Sequence, residues 1–135
     1  MESNVILFRL TMSIVPKKNS KIPRVSSRGK PFLQPNLRAV ESEQFLRQEA
    51  SLQARGFTPI ETPVKLFVRA WKAPRSRADL SGIVETVQDA LNGIAYIDDR
   101  QVHAIFAKWM KGDPDKVNGI PLSAVVIVEK LYEDS

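Results

Sequence analysis

The stretch from Arg77 to Val102, RADLSGIVETVQDALNGIAYIDDRQV, constrains the fold more than any other part of the chain. At 100° per residue Leu80, Ile83, Val84, Val87 and Leu91 fall on one face, while Ser81, Glu85 and Asp89 share the other. That spacing predicts an amphipathic helix over 80–91. Asp79 stands at its entrance, where a carboxylate accepts orphan backbone N–H groups and is favoured by the helix dipole. Asn92-Gly93 supplies a left-handed stop. The chain then returns through 94–97 and delivers Asp98 and Asp99. The expectation is that the helix packs against this return, so that Asp79 and Asp99 converge.

Clustered carboxylates repel one another and are costly to desolvate, so they persist together chiefly where a hard cation or strong donors neutralise them. Oxygen ligands suit magnesium or manganese, ions that keep several waters and complete their shell with substrate phosphate. Each acid also has a purely structural use. Asp79 serves as an N-cap, Glu85 and Asp89 as a solvated helix face, and Asp98-Asp99 as a turn.

The order Arg77-x-Asp79-Leu80, then Asp89-Ala90-Leu91-Asn92-Gly93, then Asp98-Asp99-Arg100-Gln101-Val102 resembles the RusA family of Holliday-junction resolvases. Those are small, homodimeric, magnesium-dependent endonucleases that cut four-way DNA junctions. The family motif runs D-x-D-N-x-x-K, then D-x-L, then D-D-x-Q-[VIL]. The resemblance implies that Asp79 and Asp99 are catalytic metal ligands, with Asp98 in support and Mg2+ (or Mn2+) as cofactor. It also implies a homodimer acting on branched DNA. This chain departs from the motif at three positions: Ser81 replaces the second Asp, Gly82 the Asn and Glu85 the Lys. Glu85, about 6 Å of helical rise beyond Ser81 on the same face, is a candidate replacement for the missing carboxylate. The rival expectation is a RusA-like protein that binds branched DNA without cutting it.

Charge supports a polyanionic partner. Residues 1–38 hold eight basic side chains against Glu2 alone, whereas the remaining residues hold 12 basic and 14 acidic ones. A basic segment over 16–38 therefore accompanies an acidic one over 75–102, as expected if one part grips phosphates and the other a metal. The DNA-contacting candidates are Lys17, Lys18, Lys21, Arg24, Arg28, Arg75 and Arg77. The alternative for the basic segment is a solvated loop. A module for RNA or single strands is a third, less favoured class, because clustered acids suit it badly.

With 135 residues the chain is read as one domain. Cysteine is absent, which excludes disulfides and thiolate metal sites and suits a cytoplasmic location. The apolar run 5–15 is too short to span a bilayer, so no membrane association is expected. It is read as a first strand buried on both faces. A loop over 16–35 follows, with a short hairpin about Ser27–Gly29. A helix capped by Asn36 then runs to about Arg55, with Leu37, Val40, Phe45, Leu46 and Leu52 on its apolar side. Alternation over 64–73, and apolar runs over 102–110 and 120–132, give three further strands. His103, the only histidine, has no partner for a triad or zinc set and reads as a sheet-surface residue. The fold class is α/β or α+β: a small mixed β-sheet with two principal helices.

Overall fold

The computed structural model describes residues 4–16, 21–25, 31–35 and 37–131, with 21–25 and 31–35 described through their backbone. Strands β1 (Val5–Leu10), β4 (Val64–Ala70), β5 (Val102–Trp109) and β8 (Ala124–Lys130) form a mixed sheet in the order β1-β8-β4-β5. β8 runs antiparallel to both β1 and β4, and β4 runs parallel to β5. Two helices, α1 (Leu37–Gln53) and α2 (Leu80–Leu91), accompany it. This is a single α+β domain. β2 (Lys21–Val25) pairs with β3 (Pro31–Pro35), so the segment read as a loop is largely a hairpin, longer than expected. Its tip, with Ser27 and Gly29, lies outside the described residues, as does Asn36. A second small hairpin joins β6 (Lys116–Val117) to β7 (Ile120–Pro121).

Alternation decides which way each strand faces. Val64, Leu66, Val68 and Ala70 of β4 are buried, as are Ala124, Val126 and Val128 of β8. They pack with Leu46 and Ala50 of α1 and with Ile83, Val84, Val87, Ala90 and Leu91 of α2 in one core. Full burial of each larger aliphatic side chain is worth about 1.5–3 kcal/mol.

Two expectations are corrected. β1 is an edge strand with Phe8 and Leu10 buried but Val5 and Leu7 exposed, because the core and its helices lie on one face of the sheet only. The buried side of α1 is Ala39, Ser42, Leu46 and Ala50, and Leu37, Val40, Phe45 and Leu52 are exposed. Small residues allow α1 to approach its neighbours closely, and polar side chains on it then tie down the chain beyond β1. Ser42 Oγ donates to the Ser13 carbonyl (2.7 Å) and accepts from the Val15 amide (2.9 Å). The Glu49 carboxylate accepts from the Thr11 amide (2.8 Å). Gln53 accepts from the Arg9 amide and donates to the Arg9 carbonyl, both at 2.8 Å.

The unit that positions the acids is β4-α2-β5. A parallel pair needs a crossover, and α2 provides it. Its entrance therefore follows the carboxyl end of β4, and its exit leads to the amino end of β5.

Candidate metal and nucleic-acid site

Asp79 takes the role that its position predicts. Its backbone is extended (φ −92°, ψ 162°), and Oδ1 accepts the Gly82 amide at 2.7 Å. The Ser81 hydroxyl donates to the same oxygen at 3.2 Å. Gly82 is packed so tightly that an added Cβ would stand 2.9 Å from both Asp79 Oδ1 and Pro16 Cβ. The absence of a side chain at 82 is what lets the segment after β1 lie across the entrance of α2.

Around this entrance opens a cleft of about 820 Å3, lined among others by Arg38, Trp71, Arg75, Arg77, Asp79 and Trp109. Lys72 Nζ stands 6.0 Å from the Trp109 ring centroid. The turn leading from β4 into the cleft is stabilised by the Ser76 amide donating to the Ala73 carbonyl (3.0 Å) and the Ala78 amide donating to Ser76 Oγ (3.2 Å). Arg75 adopts φ 63°, a conformation uncommon outside glycine. Exposed guanidinium groups and an acid around a helix start suit a phosphodiester in chemical terms: cations hold a phosphate, and a carboxylate binds a hard ion or a water.

Asp98 and Asp99 belong to the other end of α2. Asp98 caps a single 3-10 turn, Asp99–Gln101, with Oδ1 accepting the Arg100 amide at 2.9 Å. Gln101 closes a capping box: Oε1 accepts the Ile97 and Asp98 amides (2.8 and 2.9 Å), while Nε2 donates to the carbonyls of Ile60 (2.7 Å) and Thr62 (2.9 Å). The Gln of the closing motif is thus a clamp that fixes the acid pair to the connector before β4. The sequence carried the signal as an acceptor and Gln three residues apart. Arg47 is a further residue that the sequence does not single out. Its guanidinium donates to the carbonyls of Asp89 (3.3 Å), Ala90 (3.1 Å) and Asn92 (3.0 Å), capping the last turn of α2.

Electrostatics separate the neighbouring acids. Hydrogen bonds from the Arg100 amide and guanidinium hold Asp98 below its usual range. Asp99 is pushed up, first by desolvation, then by its hydrogen bond and charge interaction with Asp98 and by the charge of Asp89; the Asn92 side chain acts in the opposite direction. Burial also raises the Tyr96 phenol, helped by the charges of Asp99, Asp89 and Asp98. Its hydroxyl donates to the Gln88 carbonyl at 2.7 Å. Asp89, Asp98 and Asp99 therefore share one neighbourhood beside the exit of α2.

Asp79 is remote from that neighbourhood. Asp79 and Asp89 are ten residues apart along α2, roughly 15 Å at 1.5 Å per residue. The expected convergence of Asp79 with Asp99 does not occur within one chain, because the crossover helix separates them. Among the described residues no three acids or histidines form a group that could hold a metal ion. The donors have the right chemistry for magnesium, but one chain does not assemble them. Glu85 is exposed on α2 between the two ends. Arg75 and Arg77 line the cleft. Lys21 and Arg24 lie on β2, where only the backbone is described, and Lys17, Lys18 and Arg28 fall outside the described residues. His103 is exposed at the irregularity where β5 pairs with Val64 and Lys65.

Among the described residues no helix is long and apolar enough to cross a membrane. No curated protein matches the chain. Among solved structures, it is similar to a protein of unknown function from Agrobacterium tumefaciens at 14% identity and a TM-score of 0.44, over 96% of this chain and 78% of that one. Residues 12–119, which include most of the cleft's lining, α2 and the Asp-Asp-x-Gln-Val motif, match the family described as endodeoxyribonuclease RusA. The chain belongs to the RusA endodeoxyribonuclease family.

Proposed function

We propose that the whole chain is one structure-selective endodeoxyribonuclease domain that resolves four-way DNA junctions as a homodimer, with magnesium as cofactor and manganese as a substitute. The observation that carries this reading is the cation-lined cleft opening at Asp79, the first acid of the family motif. Arg75 and Arg77 hold the DNA backbone there, and the basic segment with Lys17, Lys18, Lys21, Arg24 and Arg28 extends the grip. Such contacts fix position without reading sequence, as a junction enzyme requires.

The separation of Asp79 from Asp99 gives the dimer a chemical purpose. A twofold contact is isologous, so two α2 helices lying antiparallel bring the entrance of one beside the exit of the other. Asp79 of one protomer then meets Asp99, supported by Asp98, of its partner. Glu85, one turn beyond Ser81 on the face that Ser81 shares, is the candidate for the carboxylate that Ser81 lacks. A four-way junction has approximate twofold symmetry, which suits two such sites.

Subunit mixing tests this arrangement on a labelled junction with magnesium or EDTA. Asp79→Asn and Asp99→Asn should each abolish cutting. Their mixture should recover it at about one quarter of the sites by random pairing, because a mixed dimer retains one site with both acids. No recovery would exclude a shared site.

One observation favours a second reading, a branched-DNA binder without cleavage: Ser81 places a hydroxyl, donating to Asp79, where the family has an acid. An inert parent protein that cuts after Ser81→Asp would establish that reading. Undiminished cutting by Glu85→Gln would remove Glu85 from the first.

A further inference from the structure

The sheet face opposite the helices carries a pattern that the junction-cutting reading leaves unused. Strand register places Leu7, Ile127, Phe67 and Phe106 side by side across all four strands, in one row. Leu7 is 39% and Phe106 56% exposed. The rings of Phe67 and Phe106 stack, with centroids 5.1 Å apart and planes 15° from parallel. The next row towards the cleft is Arg9, Val125, Arg69 and Lys108. The row on the other side contains Lys65 and Glu129, whose ion pair at 3.7 Å is the only one on this face among the described residues.

An apolar row with a stacked phenylalanine pair, beside a row with three cations, excludes some occupants. A second copy meeting this face would bring both cationic rows into one interface, with Glu129 as the acid available and already engaged by Lys65. A DNA duplex offers phosphates but keeps its bases stacked on one another. An unpaired strand offers both phosphates for the cations and free base faces for the phenyl rings. We infer that this open sheet face is a second DNA surface, one that takes an unpaired strand. DNA is assigned over RNA from the family membership. Otherwise the inference is independent of the shared metal site.

Fluorescence anisotropy of the full chain with a labelled oligothymidylate of about 15 nucleotides, in EDTA, tests it. Phe106→Ala should weaken strand binding about 5-fold to 100-fold, the range expected for a lost base stack. Duplex affinity should change less than about twofold, because paired bases make no use of the ring. Phe106→Tyr, which keeps a ring, should bind like the parent. Arg69→Glu with Lys108→Glu should weaken strand binding and lower its salt dependence by about one or two units. Thermal melting confirms that each variant folds. Unchanged strand affinity in folded Phe106→Ala would overturn the inference. So would a dimer-to-monomer change by light scattering in that variant, which would make the face a subunit contact. Junction cutting is not the readout, so failure here leaves the cleavage reading intact.

Discussion

Asp79 Oδ1 lies 2.7 Å from the Gly82 amide nitrogen and 2.9 Å from the place that a Gly82 Cβ would occupy. The cap and the missing side chain are therefore one device. Alanine is ordinarily preferred over glycine inside a helix by about 1 kcal/mol. Here Gly82→Ala should instead destabilise by about 1–3 kcal/mol, because Pro16 and the capping carboxylate must both shift. Urea unfolding checks the sign, and a more stable variant would show that the contact relaxes without cost.

Gln101 supports the opposite end of α2. Gln101→Glu keeps an acceptor for the Ile97 and Asp98 amides but turns the donor that faces the Ile60 and Thr62 carbonyls into a repelling oxygen. A loss of about 2–3 kcal/mol is expected at neutral pH, more than for a single hydrogen bond. Denaturant melting measures the loss, and amide exchange at Ile60, Ile97 and Asp98 should accelerate along with it.

Asp99 should oppose stability at neutral pH. Its folded pKa is raised by desolvation and by Asp98 and Asp89, so its favourable contribution is present below the unfolded value near 4 and is lost as pH rises through the folded one. Asp99→Asn should therefore raise Tm at pH 7 and leave it nearly unchanged near pH 3, while abolishing cutting. A lower Tm at pH 7 would mean that the carboxylate serves the fold.

Tyr96 adds an alkaline dependence to stability. Its folded pKa lies above the ordinary value, so the stabilisation holds below about pH 10 and declines as pH climbs towards the folded value. Tyr96→Phe should cost about 1 kcal/mol at pH 7 through the lost bond to Gln88, yet unfold less steeply above pH 10. The ultraviolet absorbance of the phenolate follows the ionisation.

The parts of the chain that repeat a simple period were readable from the residues alone. α2 forms over 80–91 with Asp79 as cap and Gly93 at φ 77°, and β4 alternates as expected. The edge position of β1 depends on strand order, which no run of valine and isoleucine encodes. The buried side of α1 is carried by Ala39, Ser42 and Ala50, which add little to a hydrophobic period. Arg47 follows Glu43 by four residues, a spacing that on its own gives a surface pair, and only tertiary packing reveals that it caps another helix. The misplaced convergence of Asp79 with Asp99 has the plainest cause: twelve helical residues act as a rigid spacer, whatever the acids at either end would prefer.

Because β4 and β5 run the same way, the entrance of α2 lies at one rim of the sheet and its exit at the other. Each rim can then change under its own selection. An exchange such as Asp to Ser at position 81 alters the chemistry at one rim while the Gln101 clamp, a helix length away, feels nothing. A lineage built this way can trade cutting for holding, or regain it, one substitution at a time and without refolding its scaffold.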